Sequence, residues 1–523
     1  MAIAELAPKE SVAAADHPRT APGWLPTMQR WTIVFLLVGV GWRLFRYLLQ
    51  FPIWGDEAYT CINLTDQTYL GFLDGLRCNL VAPLLFLWGE LTALHWLGSS
   101  ELAMRLLPVL AGLAALPVFW KLARQVLDPA AATLAFGILA VAYYPVRHAV
   151  EVKPYSLDLL VSAGLISIAY AWLTQPQRVN LLTLLCMLLP PALLISNPVV
   201  FVAGGISVAL LPTVWREPAR TKALWAAYNI VLGLTFLGCL YLNARMQPAS
   251  AVQMLERFWS HTFPPMEPLA LLKWLALTHT GNMMAYPLGG KNGGSAVTFL
   301  LFLVGVWHFA RARRWDVLLL CLTPFALTFI AACLRRYPYG DSARLCQHLA
   351  PATCLLIAAG AFTSISWIWR NARGQQIATG FVCGMLAIIG VAGIARDLVQ
   401  PYKQTGDQEC RRIVRAIVDQ AGTECPVVFL NDWDQSQPEL LWYLSQGHPQ
   451  VIRHERANWS ELALGGRVVC LRIAHDKAPP QPHELPAPWR LNRHDTYSRP
   501  LDYHIGITEI LEAFEFQIDS HKR

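Results

Sequence analysis

Apolar runs close to the ~20 residues that cross a bilayer recur through the first three quarters of the chain, and that recurrence fixes the fold class before any motif is read. They lie near 31–50, 103–122, 130–147, 155–173, 179–196, 198–214, 223–243, 296–310, 315–334, 345–369 and 376–396. Only 15% of the 523 residues are charged, against about 25% in soluble domains. The chain therefore reads as an all-α polytopic membrane protein of about eleven transmembrane helices. The formal charge of +7 is spread along the chain, which suits loop charges and lipid phosphates. It carries no basic and aromatic pattern of a nucleic-acid module.

Residues 1–28 are rich in Ala, Pro and charge and read as a disordered cytoplasmic tail. No cleavable signal precedes the span at Trp31, so that span is expected to remain as an anchor. Basic residues then set the orientation. Lys121 and Arg124, Arg216 to Lys222, Arg311 to Arg314, and Arg370 with Arg373 all fall on the cytoplasmic side of this layout. Arg147, Lys153, Lys291, Arg335, Arg336 and Arg344 fall on the other, in loops that also hold Glu, Tyr and Gly, and are candidates for gripping phosphate.

Val81–Leu97 is apolar but holds Glu90 and His95. Were it to cross, the basic clusters at 311–314 and 370–373 would be translocated, so a juxtamembrane helix is expected instead. The first outer loop is then 52–102, and a second runs over 243–295, punctuated by Pro and Gly. The transmembrane domain spans 29–396. From 397 to 523 charge rises and the spans stop. Helical periodicity at 408–420 and 439–445 and apolar strands at 426–430 and 467–473 predict a small extracytoplasmic α/β domain, with no nucleotide motif and no metal cluster. Twelve cysteines are scattered without a CxxC, and Cys61 with Cys78 reads as a disulfide or as two thiols.

Trp54-Gly55-Asp56-Glu57-Ala58-Tyr59 follows the first span directly. Adjacent carboxylates at a membrane edge are costly unless solvated, paired or at work. A second set is Arg147, His148, Glu151, Lys153, Tyr155 and Asp158, where two carboxylates and two cations frame a sugar phosphate, or Glu151 simply pairs with Arg147 or Lys153. A third is Arg335-Arg336-Tyr337-Pro338-Tyr339-Gly340, with Arg344 and His348 one helical turn apart. An Arg at a helix start suits a phosphate; snorkelling is the bland alternative. Arg43 and Arg46 sit inside the first span and either snorkel or pair with a carboxylate.

The stretch Arg46 to Tyr59, with Ala82-Pro83-Leu84 and Glu101 to Pro108, resembles the first-loop motif of GT-C membrane glycosyltransferases related to protein O-mannosyltransferases and aminoarabinose transferases. Glu151-Val152-Lys153-Pro154-Tyr155 resembles that family's Glu-x-Arg-Pro-Tyr, with Lys in place of Arg. The resemblance implies a GT-C fold and an inverting transfer from a polyprenyl-phosphate sugar to a lipid, glycan or protein acceptor, outside the cytoplasmic membrane. It implies Asp56 as the catalytic carboxylate and Glu151 as a second acidic site. Glu57 joins them to orient Asp56, to bind the acceptor or to hold a divalent cation, although the sequence shows no metal cage. Lys153, Tyr155, Arg147, Arg336, Tyr339, Arg344 and His348 complete the expected substrate and phosphate contacts. Lys at 153 keeps the charge but loses bidentate geometry. The competing class is a transporter or flippase of lipid-linked sugars, against which stand the absence of a visible repeat and the clustering of charge at one face.

Overall fold

The computed structural model describes residues 25–65, 67–77, 80–247, 249–290, 293–340, 342–401, 405–422, 424–430, 438–447, 450–453, 457–474, 489–502 and 507–518. The expected tail therefore lies outside the described residues as far as residue 24, and so does Cys78. Helices run in the order α1 (Leu25–Leu48), α2 (Gly55–Thr65), α3 (Leu84–Leu97), α4 (Glu101–Met104), α5 (Leu106–Val126), α6 (Pro129–Ala140), α7 (Tyr143–His148), α8 (Tyr155–Thr174), α9 (Val179–Ile195) and α10 (Val199–Val214). They continue through α11 (Ala219–Met246), α12 (Ala249–Phe258), α13 (Pro268–His279), α14 (Gly294–Arg311), α15 (Trp315–Cys333), α16 (Ala350–Ile368) and α17 (Ala372–Val399).

Each of the eleven apolar runs is helical, with 130–147 divided at residues 141–142 into α6 and α7. Eight segments, among them α1, α5, α8, α11, α14, α15, α17 and residues 343–368, are long and apolar enough to cross a membrane. α6, α9 and α10 are shorter apolar helices packed among them. α3 has 14 residues and so reaches about 21 Å at 1.5 Å per residue, too little for a ~30 Å hydrocarbon layer.

The bundle interior is built on small residues. α6 begins with Pro129 after Asp128, a good first-turn residue, and every residue from Ala130 to Ala140 is buried. α16 packs against α14 at Gly305 and Gly360, where a Cβ on Gly360 would lie 1.8 Å from the Leu301 carbonyl oxygen. Such close backbone approach is the usual way apolar helices associate where lipid competes for side-chain contact. Arg46, inside α1, pairs with Asp397 near the end of α17 at 2.6 Å, both buried. Of the two readings offered for Arg46, pairing is the one realised. Arg43 donates to the carbonyls of Gly39 and Ala140 at 2.9 and 3.0 Å.

The C-terminal region holds α18 (Thr405–Ala421), β1 (Val427–Phe429), α19 (Pro438–Gly447), β2 (Val451–Arg453), α20 (Trp459–Gly465), β3 (Arg467–Ala474), β4 (Trp489–Asp502) and β5 (Ile507–Ile518). The sheet order is β2-β1-β3-β5-β4, parallel through the first three strands and antiparallel beyond. Val468, Val469, Cys470 and Leu471 of β3 are all buried, as expected of a strand covered on both faces. The two predicted strands and two predicted helices are present. β2, α20, β4 and β5 were not anticipated, because β4 is mostly polar along its length and the others are short or lack clear period-2 alternation.

The second outer segment is not an open loop. α12, α13 and short 3-10 turns occupy it, and α13 covers the predicted short helix at 269–277. Its end docks on α7, where the Tyr143 N–H donates to the Pro287 carbonyl at 3.1 Å.

Candidate active site

The charged loops meet at one end of the bundle. α2 starts just after α1, with Asp56 and Glu57 in its first turn, where the helix dipole favours negative charge. The two carboxylates have opposite surroundings. Glu57 is 0% exposed. Arg105 grips it from Nε at 2.8 Å and from a terminal nitrogen at 2.6 Å. The Val152 N–H donates to it at 2.8 Å and the Trp54 N–H at 3.3 Å. The Trp54 contact is the return half of a capping box, a Glu three residues into the helix reaching back to the cap. Glu57 thus staples α2 to the α4–α5 junction and to the loop before α8. All its acceptor capacity is used inside the protein, so the sequence-based expectation that it receives an acceptor or a cation is corrected.

Asp56 points the other way and is a third exposed. Arg344, on the 3-10 turn Ala343–Leu349, reaches across 288 residues of sequence to form an ion pair with it. The Arg344 guanidinium also lies over the Trp259 ring, 5.2 Å from its centroid. Beside this pair opens a cavity of about 300 Å³ lined by Trp54, Tyr144, Arg147, His148, Glu151, Trp259 and Arg344, with Phe258, His261, Asn282 and Ser342–Ala343 closing the rim. The Tyr144 hydroxyl donates to Asn282 at 3.1 Å.

Glu151 is 1% exposed. It accepts from Arg147 at 3.0 Å and pairs with His148 Nδ1 at 2.8 Å. Burial alone would raise its carboxyl, but His148 and Arg147 outweigh burial and hold it well below the usual carboxylate range. Burial pushes the His148 imidazole down, against the pull of Glu151. The consistent state is a neutral imidazole donating from Nδ1 to an ionised Glu151, with Arg147 as the counter-charge. Lys153 is almost fully buried; burial lowers its ammonium, with Asp56 opposing. Tyr155 packs its ring edge-on to His148 at 5.1 Å.

Five expected contacts are absent from the lining of this cavity: Lys153 and Tyr155, placed above, and three more. Arg336 is exposed on the loop after α15. Tyr339 is buried among Trp274, His279 and Phe329, and its hydroxyl meets His279 Nε2 at 3.1 Å. His348 lies deeper, bonded to Thr328 at 3.1 Å and packed on Phe201 and Tyr337. The four-residue spacing to Arg344 misled because the turn is 3-10, not α-helical, so the two side chains diverge. Trp259, His261 and Asn282 were missed. They come from the second outer segment, and an isolated aromatic or amide in a loop gives no periodic signal.

The three carboxylates that could hold a divalent cation are each ion-paired in this structure. Asp56 is engaged by Arg344, Glu57 by Arg105, and Glu151 by Arg147 and His148. Among the described residues no group of three or more His, Cys, Asp or Glu side chains is placed to hold a metal.

No family model matches the sequence, and no curated protein matches it. Solved structures do match. The crystal structure of ArnT from Cupriavidus metallidurans bound to undecaprenyl phosphate is similar over 94% of this chain and 98% of that one, with a TM-score of 0.54 and 13% identity. The chain has the GT-C fold. ArnT in the apo state gives a TM-score of 0.49 at 13% identity over 86% and 93% of the two chains. The Archaeoglobus fulgidus oligosaccharyltransferase in complex with Zn and sulfate gives 0.46 at 11% identity over 84% and 67%. The likeness carries the fold and a multi-pass membrane architecture.

Proposed function

We propose that the protein is an inverting glycosyltransferase that moves a sugar from a polyprenyl-phosphate carrier to a hydroxyl or amine of a lipid, glycan or protein acceptor. The observation that carries this reading is a cavity lined by Arg147, Glu151 and Arg344 at one end of an apolar bundle, with Asp56 ion-paired to Arg344 and Lys153 near enough to feel both charges. The structural neighbour ArnT was crystallised with undecaprenyl phosphate, which supports a lipid-phosphate donor. By the sequence's basic-loop pattern this end faces outward across the cytoplasmic membrane.

A polyprenyl phosphate is already a good leaving group, so the site needs mainly alignment and a base. Asp56 takes the proton from the acceptor as its oxygen or nitrogen attacks the anomeric carbon. The carbon–oxygen bond to phosphate breaks and its electron pair stays on the phosphate. Arg344, Lys153 and Arg147 take up the resulting charge. The donor phosphate competes with Asp56 for Arg344, so donor binding is what releases the base. Glu151 keeps Arg147 and His148 aimed at the cavity, and Glu57 braces the helix without touching substrate.

The test is sugar transfer by the purified protein in proteoliposomes, with a polyprenyl-phosphate sugar and mass detection of products. Asp56→Asn should lower the rate by about 10²–10⁴, the range for a general base. Undiminished transfer by that variant contradicts the assignment. Movement of the intact lipid-linked sugar between leaflets with no transfer supports the flippase class instead.

A further inference from the structure

Helix α2 is launched by four residues, Gln50 to Ile53, whose backbone is held from two sides. From the bundle, Arg105 donates to the Phe51 carbonyl at 2.6 Å and to that of Pro52 at 3.1 Å, with its guanidinium 4.0 Å from the Phe51 ring centroid. From the C-terminal region, the Tyr443 hydroxyl on α19 accepts the Ile53 N–H at 2.7 Å and donates to Glu101 at 2.8 Å. Arg411 on α18 bonds both the Gln50 carbonyl and Glu101. Gln50 has φ +46°, a left-handed conformation that a non-glycine residue keeps only when its surroundings hold it.

Packing follows the same route. Ala58, Cys61 and Ile62 of α2 share one core with Leu440, Leu441 and Leu444 of α19, and a Cβ on Gly55 would lie 3.6 Å from Glu439. Ile53 is fully buried, so its N–H has no water to replace the Tyr443 hydroxyl. Asp56 lies three residues further on.

We propose that Tyr443 is a positioning residue for the transfer reaction. Through it the C-terminal region sets where α2 presents Asp56. That region is then part of the reaction apparatus and not a detached cover. The inference rests on Asp56 being the base. The phosphate-holding groups Arg147, Lys153 and Arg344 all come from the bundle and keep their places, so displacing Asp56 acts mainly on the base, with at most a small change in donor binding through the Asp56–Arg344 pair. A displacement of about 1 Å at a reacting group costs up to ~10²-fold in rate.

The full-length protein in proteoliposomes tests this. Tyr443→Phe should lower kcat by about 10–100-fold with KM for the polyprenyl-phosphate sugar within about twofold. Glu101→Gln, which keeps an acceptor for the hydroxyl, should retain most of kcat, whereas Glu101→Leu should follow Tyr443→Phe. Arg467→Ala, which breaks a sheet pair with Glu515, should leave kcat unchanged and controls for general weakening of that region. A wild-type kcat for Tyr443→Phe, a change confined to KM, or an equal loss in Arg467→Ala overturns the inference. Absence of transfer by the unaltered protein overturns the reading of Asp56, and this inference falls with it.

Discussion

The two ends of the helical bundle hold their charges in different ways. At the end beside Asp56, two of the three carboxylates take partners from far along the chain: Glu57 and Arg105 are 48 residues apart, Asp56 and Arg344 288, while Glu151 pairs locally with Arg147 and His148. Glu57 and Arg105 are 0% and 1% exposed. At the opposite end, Arg314 pairs with Asp316, two residues away, and with the Tyr170 hydroxyl. Those two side chains are about a quarter and a third exposed. A cavity of about 210 Å³ lies there too, lined by Gln125, Asp128, Tyr170, His308, Arg314 and Thr363. Local exposed pairs contribute little and suit a membrane-edge arginine. Buried distant pairs cost desolvation and are kept where geometry is needed. This contrast supports placing the proposed reaction at the first end.

The comparison can be broken by substituting one arginine at each end. Arg105→Met should leave Glu57 buried and uncompensated, at a cost of about 3–5 kcal/mol, read as loss of folded protein or a large drop in Tm in detergent. Glu57→Leu added to it should restore part of the loss, because the orphaned charge is gone. Glu151→Gln comes next. It should keep the fold but loosen Arg147 and His148, lowering transfer by about tenfold, the effect of roughly 1.4 kcal/mol.

A smaller effect is pH-dependent. The unfolded His148 titrates near ~6.5, and burial lowers it in the fold. Its contribution to stability is complete above that pH and is lost as pH falls toward the folded value. Glu151 is held well below the usual carboxylate range, so its contribution is complete above ~4.3 and survives mild acid. Thermal stability should therefore fall as pH drops below about 6.5, by no more than about 1.4 kcal/mol per pH unit for one group. His148→Asn should flatten that slope; Glu151→Gln should not. The smallest effects belong to the other end and to exposed Arg336. Arg314→Ala should cost about 1 kcal/mol or less, and Arg336→Ala should leave both Tm and transfer within about 0.5 kcal/mol of wild type.

The bundle was legible because span length is a strong signal: every apolar run is helical, and Val81–Leu97 holds a helix over Leu84–Leu97. The Trp54–Tyr59 and Glu151–Tyr155 motifs converge as their charge patterns suggested. What the sequence hid was direction. Asp56 and Glu57 are neighbours, yet the first turn of α2 sends one to the cavity and the other inward, and only the position of Arg105 decides which. Arg336, Tyr339 and His348 carried the right chemistry for a phosphate site, but a 3-10 turn and an aromatic cluster took them elsewhere. The coupling of α18 and α19 to the start of α2 rests on a shared apolar core, one hydroxyl and one arginine hundreds of residues away, which no local pattern reveals.

The central claim is that Arg344 alternates between Asp56 and a lipid phosphate. Native mass spectrometry of the purified protein with added undecaprenyl phosphate measures this directly. The account predicts a saturable one-to-one complex for the wild type, at least tenfold weaker binding for Arg344→Gln, and tighter binding for Asp56→Asn, because the competing carboxylate is gone. Equal binding by all three proteins would contradict it.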